Sequence, residues 1–381
     1  MGFPVIPDPK DAARQAFEEQ AAEITALSEF LHDNPEVGWY EFRSSEEVGR
    51  VLTGFGFDVT TGYLGLETSI MASYGSGPFR VGIMAEYDAL PGLGHACGHN
   101  LIAAIAVGAG VALSRVADSA GITVVVYGTP AEEGGGGKIE MLDRGAFADL
   151  DLAMMAHPAP VDVAKASPLA VSHSHVEYFG RAAHAATAPT EGVNAADAFT
   201  IAQVAIALLR QQLPPTVRVH GVMTNAGDAP NVIPEHTEGR WYVRAETLAE
   251  LVEVEARVRK CFEAGALATG CELRITPESQ PYSEFRDDLR LLEYYTANAI
   301  ALGRNLQVTG PETHMSLAST DMANVSQVVP AIHPYVGVGS YPVLNHQKAF
   351  ADFCVGTVAE QTLHDAAIAL AWTAIDMAGA R

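Results

Sequence analysis

Over residues 11–32 apolar side chains recur every three or four positions (Phe17, Ala21, Ile24, Leu27, Leu31), which predicts an amphipathic helix ended by Asn34-Pro35. A second helix is predicted over 44–52, with Ser44 and Glu47 as its capping box. Strand-like segments follow at 57–61, 68–74 and 79–85. The helix after Asn100 carries Ala, Ile, Val and Gly on all sides, which implies burial all round. Residues 122–127 (Ile-Thr-Val-Val-Val-Tyr) read as a strand covered on both faces, as in a parallel sheet. Residues 134–137, all glycine, lead into a short helix, and 152–156 form another buried strand closed by His157. Strands alternating with helices, with reactive residues at the strands' carboxyl ends, predict an α/β sheet with its site at that edge.

After Ala164 the pattern changes. A strand at 171–179, a helix at 194–213, strands at 217–223 and 238–244, a helix at 248–267 and a strand at 272–276 give the order βαββαβ, a split, ferredoxin-like unit. Helices and a buried strand at 328–336 then resume, and a helix over 347–377 ends the pattern. A chain of 381 residues exceeds the size at which one core stops growing. The expectation is an α/β domain built from 1–167 and 283–381, with a small domain, 168–282, inserted into it.

Composition narrows the function classes. A net charge of −23 disfavours nucleic acid and anionic membrane surfaces as partners. The four cysteines have no framework spacing, which fits reduced thiols and a cytoplasmic location. Met1-Gly2-Phe3-Pro4 is not a basic region leading into an apolar core, so no secretory signal is expected. The apolar run at 101–113 is too short to span a bilayer.

Chemistry concentrates in Ala85-Glu86-Tyr87-Asp88-Ala89-Leu90-Pro91-Gly92-Leu93-Gly94-His95-Ala96-Cys97-Gly98-His99-Asn100. His95, Cys97 and His99 alternate at a Gly-rich turn where they could converge on one ion. Glu132-Glu133 follows a buried strand, where adjacent carboxylates could divide into a metal ligand and a base. The glycines beside it are not a phosphate loop, since Ile139 rather than Ser or Thr follows Lys138. His157 and His346 also fall at element ends. Each is a weak signal alone; five beside one sheet edge reinforce one another.

These residues resemble the dinuclear-metal amidohydrolase and peptidase family of carboxypeptidase G, aminoacylases and auxin-amino acid conjugate hydrolases. The likeness runs from His32-x-x-Pro35-Glu36 through both motifs above, Gly180-Arg181-Ala182-Ala183-His184-Ala185 and Asn231-Val232-Ile233-Pro234 to Asn345-His346. The wording of Glu86-Tyr87-Asp88-Ala89-Leu90 and His95-x-Cys97-Gly98-His99-Asn100 is similar to the cysteine-bearing branch, with p-aminobenzoyl-glutamate hydrolase B subunits and β-alanyl-lysine dipeptidase-like proteins. Many members carry His two residues before the Asp, where this chain has Glu86; Cys97 is expected to replace that imidazole.

The resemblance implies a mixed-sheet metallopeptidase catalytic domain with an inserted ferredoxin-like βαββαβ dimerisation domain, acting as a lid. It implies that Cys97, His99, Glu133, His157 and His346 hold two divalent ions per subunit, with zinc, manganese and cobalt as candidates. Glu132 would be the general base, Asp88 would orient a ligand, and His184 would reach the site of a partner subunit in a homodimer. Asn231 and Arg244 would grip the substrate carboxylate. The implied activity is hydrolysis of the amide bond of N-acyl amino acids or dipeptides. Three alternatives stand beside it: a deaminase or other C–N hydrolase on a non-peptide amine, a binding protein of the same fold, and a structural zinc protein.

Overall fold

The computed structural model describes residues 8–381, so the expectation for Met1-Gly2-Phe3-Pro4 lies outside the described residues. The chain divides into two compact units, one from the segment up to Pro168 together with Phe285–Arg381, the other from Leu169–Glu284.

In the first unit α1 (Pro9–Asp33) is capped by the Asp8 side chain, which accepts from the Lys10 amide. Helix α2 (Phe42–Gly54) begins before Ser44, and the expected capping box does not form. The Glu36 carboxylate instead accepts the Arg43 and Ser44 amides, while Glu47 pairs with Arg50 at 2.7 Å. A carboxylate from upstream satisfies the same orphan donors that a capping box would. There follow β1 (Asp58–Thr61), β2 (Ile70–Tyr74), β3 (Phe79–Glu86), α3 (His99–Ser114), α4 (Ala117–Ala120), β4 (Ile122–Thr129), α5 (Gly137–Asp143), β5 (Leu152–Met154) and β6 (His157–Ala159). His157 therefore opens β6 rather than closing the preceding strand, because the chain changes sheets at Met155-Ala156.

The second unit contains β7 (Ala170–Phe179), α6 (Ala195–Leu209), β8 (Arg218–Asn225), β9 (His236–Ala245), α7 (Leu248–Thr269) and β10 (Glu272–Pro277). Helix α6 is shorter than the expected 194–213; Asn194 caps it and a 3-10 turn, Arg210–Gln212, follows. The first unit resumes with α8 (Leu289–Ala301), α9 (Met322–Ser326), β11 (Ala331–Ile332), β12 (Tyr335–Gly337) and α10 (Thr357–Gly379). The single strand expected at 328–336 is not formed. Pro330 and Pro334 have no amide proton for a ladder, and the segment yields two short strands in two different sheets. The helix expected over 347–377 is likewise divided: a 3-10 turn spans Lys348–Cys354, and Gly356 at φ 82°, ψ −177° stands before α10.

The main sheet runs β1-β2-β4-β3-β5-β11, with β4, β3, β5 and β11 parallel. Val81, Ile83, Ala85, Val124 and Val126 join one core with residues of α1, α3 and α10, whereas Met84, Val125 and Tyr127 join another with Met141, Phe147 and Met322. Alternate residues enter different cores, which is why the apolar run is continuous. Each such Val or Ile stabilises by roughly 1.5–3 kcal/mol. Because β3, β4 and β5 are parallel, the segments that follow them emerge at one edge. Among the described residues no helix is long and apolar enough to cross a membrane.

The second unit's sheet has the order β10-β7-β9-β8, all antiparallel, with α6 and α7 contributing to its core. This is the βαββαβ arrangement. On β7, His173 packs against Tyr242 and Tyr282, and burial followed by the charge of Arg244 lowers its pKa to about 4. With the unfolded value near 6.5, the unfolded chain binds more protons between those values, so stability falls as pH drops from about 6.5 toward 4. Between pH 7 and 5, His173 should account for a loss on the order of 2 kcal/mol. Urea unfolding of His173→Gln at both pH values should lack that increment; an unchanged pH dependence would refute it.

Candidate metal centre

Three strand ends and two distant loops build the site within the first unit. Glu86 ends β3 and Asp88 follows it; after β4, Ala131 turns through φ 52° to present Glu132 and Glu133. Gly98 takes φ 84° ahead of α3, where a Cβ would lie 2.9 Å from Pro158, so only glycine lets Cys97 and His99 approach β6 so closely. Gly137 meets a harder limit, since a Cβ there would lie 1.8 Å from the Pro130 carbonyl oxygen. The glycine run thus serves the turn that brings Lys138 inward. His346 adopts φ 67° and its amide donates to the Ala96 carbonyl at 2.8 Å, while the Asn345 side chain donates to Pro158 at 3.0 Å. A non-glycine residue held in that conformation costs about 1–3 kcal/mol, a strain often found at functional sites.

The donor atoms fall into three groups, each with all its atoms within 4.8 Å of one another. Cys97, His99 and His157 form the first, Cys97, Glu133 and His346 the second, and Glu86, His99 and Glu132 the third. The first two share Cys97. Its Sγ lies 3.5 Å from His157 Nε2, and His346 Nε2 lies 3.4 Å from Glu133 Oε1. His99 Nε2 is 3.6 Å from Glu86 Oε2, 3.7 Å from Glu133 Oε1 and 3.9 Å from Glu132 Oε2. Asp88 holds two members: Oδ1 is 3.1 Å from His99 Nδ1, and Oδ2 accepts the Glu133 amide at 2.9 Å. His157 Nδ1 faces the Pro158 carbonyl at 2.7 Å, which leaves Nε2 toward Cys97. Orienting one imidazole nitrogen so that the other is free for a ligand is the usual arrangement around metals.

The electrostatics call for cations. Burial opposes a charge on His99, yet Asp88 and then Glu86 and Glu133 lift its pKa to about 10. Burial, then Glu133 and Glu132, push the Cys97 thiol well above its ordinary value. Burial likewise raises Glu132 well above the carboxylate range, with Glu86 and Glu133 adding to it. Glu133 moves the other way: burial raises it, but His346 and His99 outweigh that and hold it low. Glu86, Asp88, Glu132, Glu133 and Asp321 set five carboxylates against the single lysine Lys138 among the described residues of this pocket. Glu86 Oε2 and His99 Nε2 are buried with no hydrogen-bond partner among the described residues. Thiol, imidazole and carboxylate donors in a negative, underbonded cluster fit divalent ions.

The structure thus brings together Glu132, Asp88, Cys97, His99, Glu133, His157 and His346. His95 is buried but belongs to none of the three groups. His184, Asn231 and Arg244 lie in the second unit. There His184 and Asn231 sit on adjacent loops, with the Ala185 amide donating to the Asn231 carbonyl at 3.0 Å. His184 is exposed, and its Nδ1 accepts from the Ala186 and Thr187 amides, each at 3.3 Å. Arg244 Nε lies 3.4 Å from His220 Nε2. Two residues of the site, Lys138 and Asp321, do not emerge from the motifs. Lys138 reads only as a lysine that fails the phosphate-loop pattern, and Asp321, in Ser319-Thr320-Asp321, carries no local signal.

Comparison with known proteins gives the family of the chain. Residues 82–359 match the sequence pattern of peptidase family M20/M25/M40. The Xaa-Arg dipeptidase of Mus musculus is 39% identical over 383 residues, spanning 97% of this chain and 88% of that protein. The p-aminobenzoyl-glutamate hydrolase B subunit of Escherichia coli is 33% identical over 275 residues, 67% of this chain and 57% of that one. An aminobenzoyl-glutamate utilization protein from Klebsiella pneumoniae superposes with a TM-score of 0.74 at 20% identity, covering 95% of this chain and 97% of that one. A dinuclear metal binding peptidase of the M20 family from Bacillus subtilis gives 0.71, also at 20%, over 95% and 99%. At that identity the two superpositions speak to fold, a mixed α/β metallopeptidase architecture. With the family pattern and the relatives beside them, the conclusion is direct: the chain is a hydrolase that belongs to peptidase family M20/M25/M40.

Proposed function

We propose that the protein is a homodimeric, cytoplasmic, metal-dependent hydrolase of the amide bond in dipeptides or N-acyl amino acids, next to a residue bearing a free carboxylate. The observation that carries this reading is the pair of three-donor groups sharing Cys97, with Glu132 beside them. Cys97, His99 and His157 would hold one ion, and Cys97, Glu133 and His346 the other. A shared thiolate favours zinc or cobalt over manganese. When bound, the ions supply Lewis acidity, lowering the pKa of water toward about 7 and polarising a carbonyl.

The remaining work falls to the chain. Glu132 takes a proton from the attacking water at its carboxylate and delivers it to the leaving nitrogen. Asp88 keeps His99 and the Glu133 backbone in place. The backbone amides at His184 Nδ1 set the tautomer with the proton on Nε2, the form that can donate to a developing oxyanion. Asn231 and Arg244 would bind the substrate carboxylate, Arg244 by charge-assisted hydrogen bonds. Support for a dimer lies in β8, an eight-residue strand at the sheet's edge, and in the exposed Val204 and Leu208 of α6.

The test is a panel of Xaa-Arg and other dipeptides, p-aminobenzoyl-glutamate and hippurate, assayed for released amine with protein reconstituted with zinc, cobalt or manganese. At least one compound should turn over with kcat/KM on the order of 10⁴ M⁻¹s⁻¹ or better, with activity lost to chelation and restored by metal. Turnover of none would overturn the reading. Ammonia released from amine substrates lacking an acyl group would instead establish a deaminase.

A further inference from the structure

Beside the donors assigned above lies a buried cluster that the proposed reaction does not use. The side chains of Glu86, Lys138 and Asp321 are all fully buried. Lys138 Nζ donates to Glu86 Oε1 at 2.5 Å and to Asp321 Oδ1 at 2.7 Å, and the Lys138 amide donates to Asp321 Oδ2 at 2.9 Å. Asp321 by itself balances the lysine's charge. Glu86 is therefore a second carboxylate that neutralising Lys138 does not require.

The placement of its two oxygens is informative. One Glu86 oxygen is clamped by Lys138; the other, Oε2, is buried without a hydrogen-bond partner among the described residues. It faces His99 Nε2, which is equally without a partner, at 3.6 Å. That separation is too long for a hydrogen bond. With Nδ1 of His99 engaged by Asp88, Nε2 is the ring nitrogen left to face the Glu86 carboxylate, and both atoms are buried. Ions of this class bond nitrogen and carboxylate oxygen at about 2.0–2.2 Å, so donors up to about 4 Å apart can share one.

We propose that Glu86 is itself a metal ligand, through Oε2, for the ion that His99 would hold; its donor atom lies within 4.8 Å of those of His99 and Glu132. Lys138 is then a positioning residue, fixing Oε1 so that Oε2 points at the ion, and Asp321 keeps the lysine in place. This deepens the proposed function and rests on its reading of the site as a metal centre. It also revises the expectation that Cys97 alone replaces the imidazole that other members carry at position 86. The carboxylate would make this ion's surroundings harder than a Cys/His set, raising tolerance for manganese and cobalt at that position.

The test measures metal binding and needs no substrate. Glu86→Gln is nearly isosteric: its amide oxygen can still accept from Lys138, and the Lys138–Asp321 pair remains balanced. Metal-stripped wild type and variant are titrated with zinc by equilibrium dialysis, and the cobalt-loaded forms are followed by their ligand-field absorption. Wild type should bind two ions per subunit. Glu86→Gln should lose more than about 100-fold in affinity for one of them, beyond the 10–100-fold typical of outer partners, with a changed cobalt spectrum. Asp321→Asn removes the same charge from the same triad; acting only through Lys138, it should leave two ions bound, with a loss no greater than the roughly 10–100-fold typical of outer partners.

Equal losses in the two variants, or wild-type affinity and spectrum in Glu86→Gln, would overturn the proposal. If Glu86→Gln fails to fold, Glu86→Asp takes its place, since it keeps the charge against Lys138 and withdraws Oε2 by one methylene. A tenfold or greater loss for one ion is then expected, and no loss overturns the idea. Wild-type protein that binds no divalent ion would overturn the metal centre as a whole. Two ions bound by a protein inactive on the whole panel would leave this proposal standing and remove only the proposed substrates.

Discussion

Glu132→Gln should reduce kcat by about 10²–10⁴-fold while leaving two ions bound, because the substitution removes a proton acceptor and keeps the shape. Glu132 and Glu133 are neighbours in sequence, yet their surroundings pull them apart. His346 and His99 hold Glu133 ionised, as a ligand must be; burial and the nearby charges of Glu86 and Glu133 act on Glu132. The matching substitution at Glu133 should therefore fail differently, by losing metal. Determining kcat together with bound metal for both variants separates the two carboxylates. Substantial turnover by Glu132→Gln would sink the assignment of Glu132 as base.

His184→Ala should lower kcat by about 10²–10³-fold, the usual consequence of removing one oxyanion donor. His184 is exposed and belongs to a loop of the second unit, so its loss should leave stability nearly unchanged. The stronger prediction concerns mixed dimers. A heterodimer of one His184→Ala chain and one Glu132→Gln chain contains a single complete site if His184 acts across the dimer, and no complete site if it acts within its own chain. Tandem-tag purified heterodimers should regain about half the wild-type activity, as expected for one of two symmetric sites. Heterodimers as inactive as their parents would refute the trans contact.

Several features are legible in the chain itself because they are local. The continuous apolar run of β4 marks a strand with both faces covered, and Val125 and Val126 do enter different cores. Glu132-Glu133 announces itself by following that strand, and Cys97-x-His99 by its spacing. Where structure and expectation differ, a remote partner or a proline has intervened. Ser44 and Glu47 have the pattern of a capping box, but Glu36 takes the amides instead. The hydrophobic run at 328–336 reads as one strand until Pro330 and Pro334 divide it between two sheets. Lys138 looks like a failed phosphate-loop residue because its partner Asp321 lies 183 positions away.

The sequence by itself determined the donor types, the strand and helix periods, the βαββαβ order of the second unit and the family likeness, since each depends on neighbouring residues or a motif's wording. Only the tertiary structure decided that Cys97 stands in two donor groups at once, that Asp88 holds both His99 and Glu133, and that Glu86 turns an unpaired oxygen toward His99. The physical reason is the same in all three. Convergence at the end of parallel strands is set by long-range packing and by the left-handed turns at Gly98, Ala131 and His346, and the spacing along the chain does not encode which donors will meet.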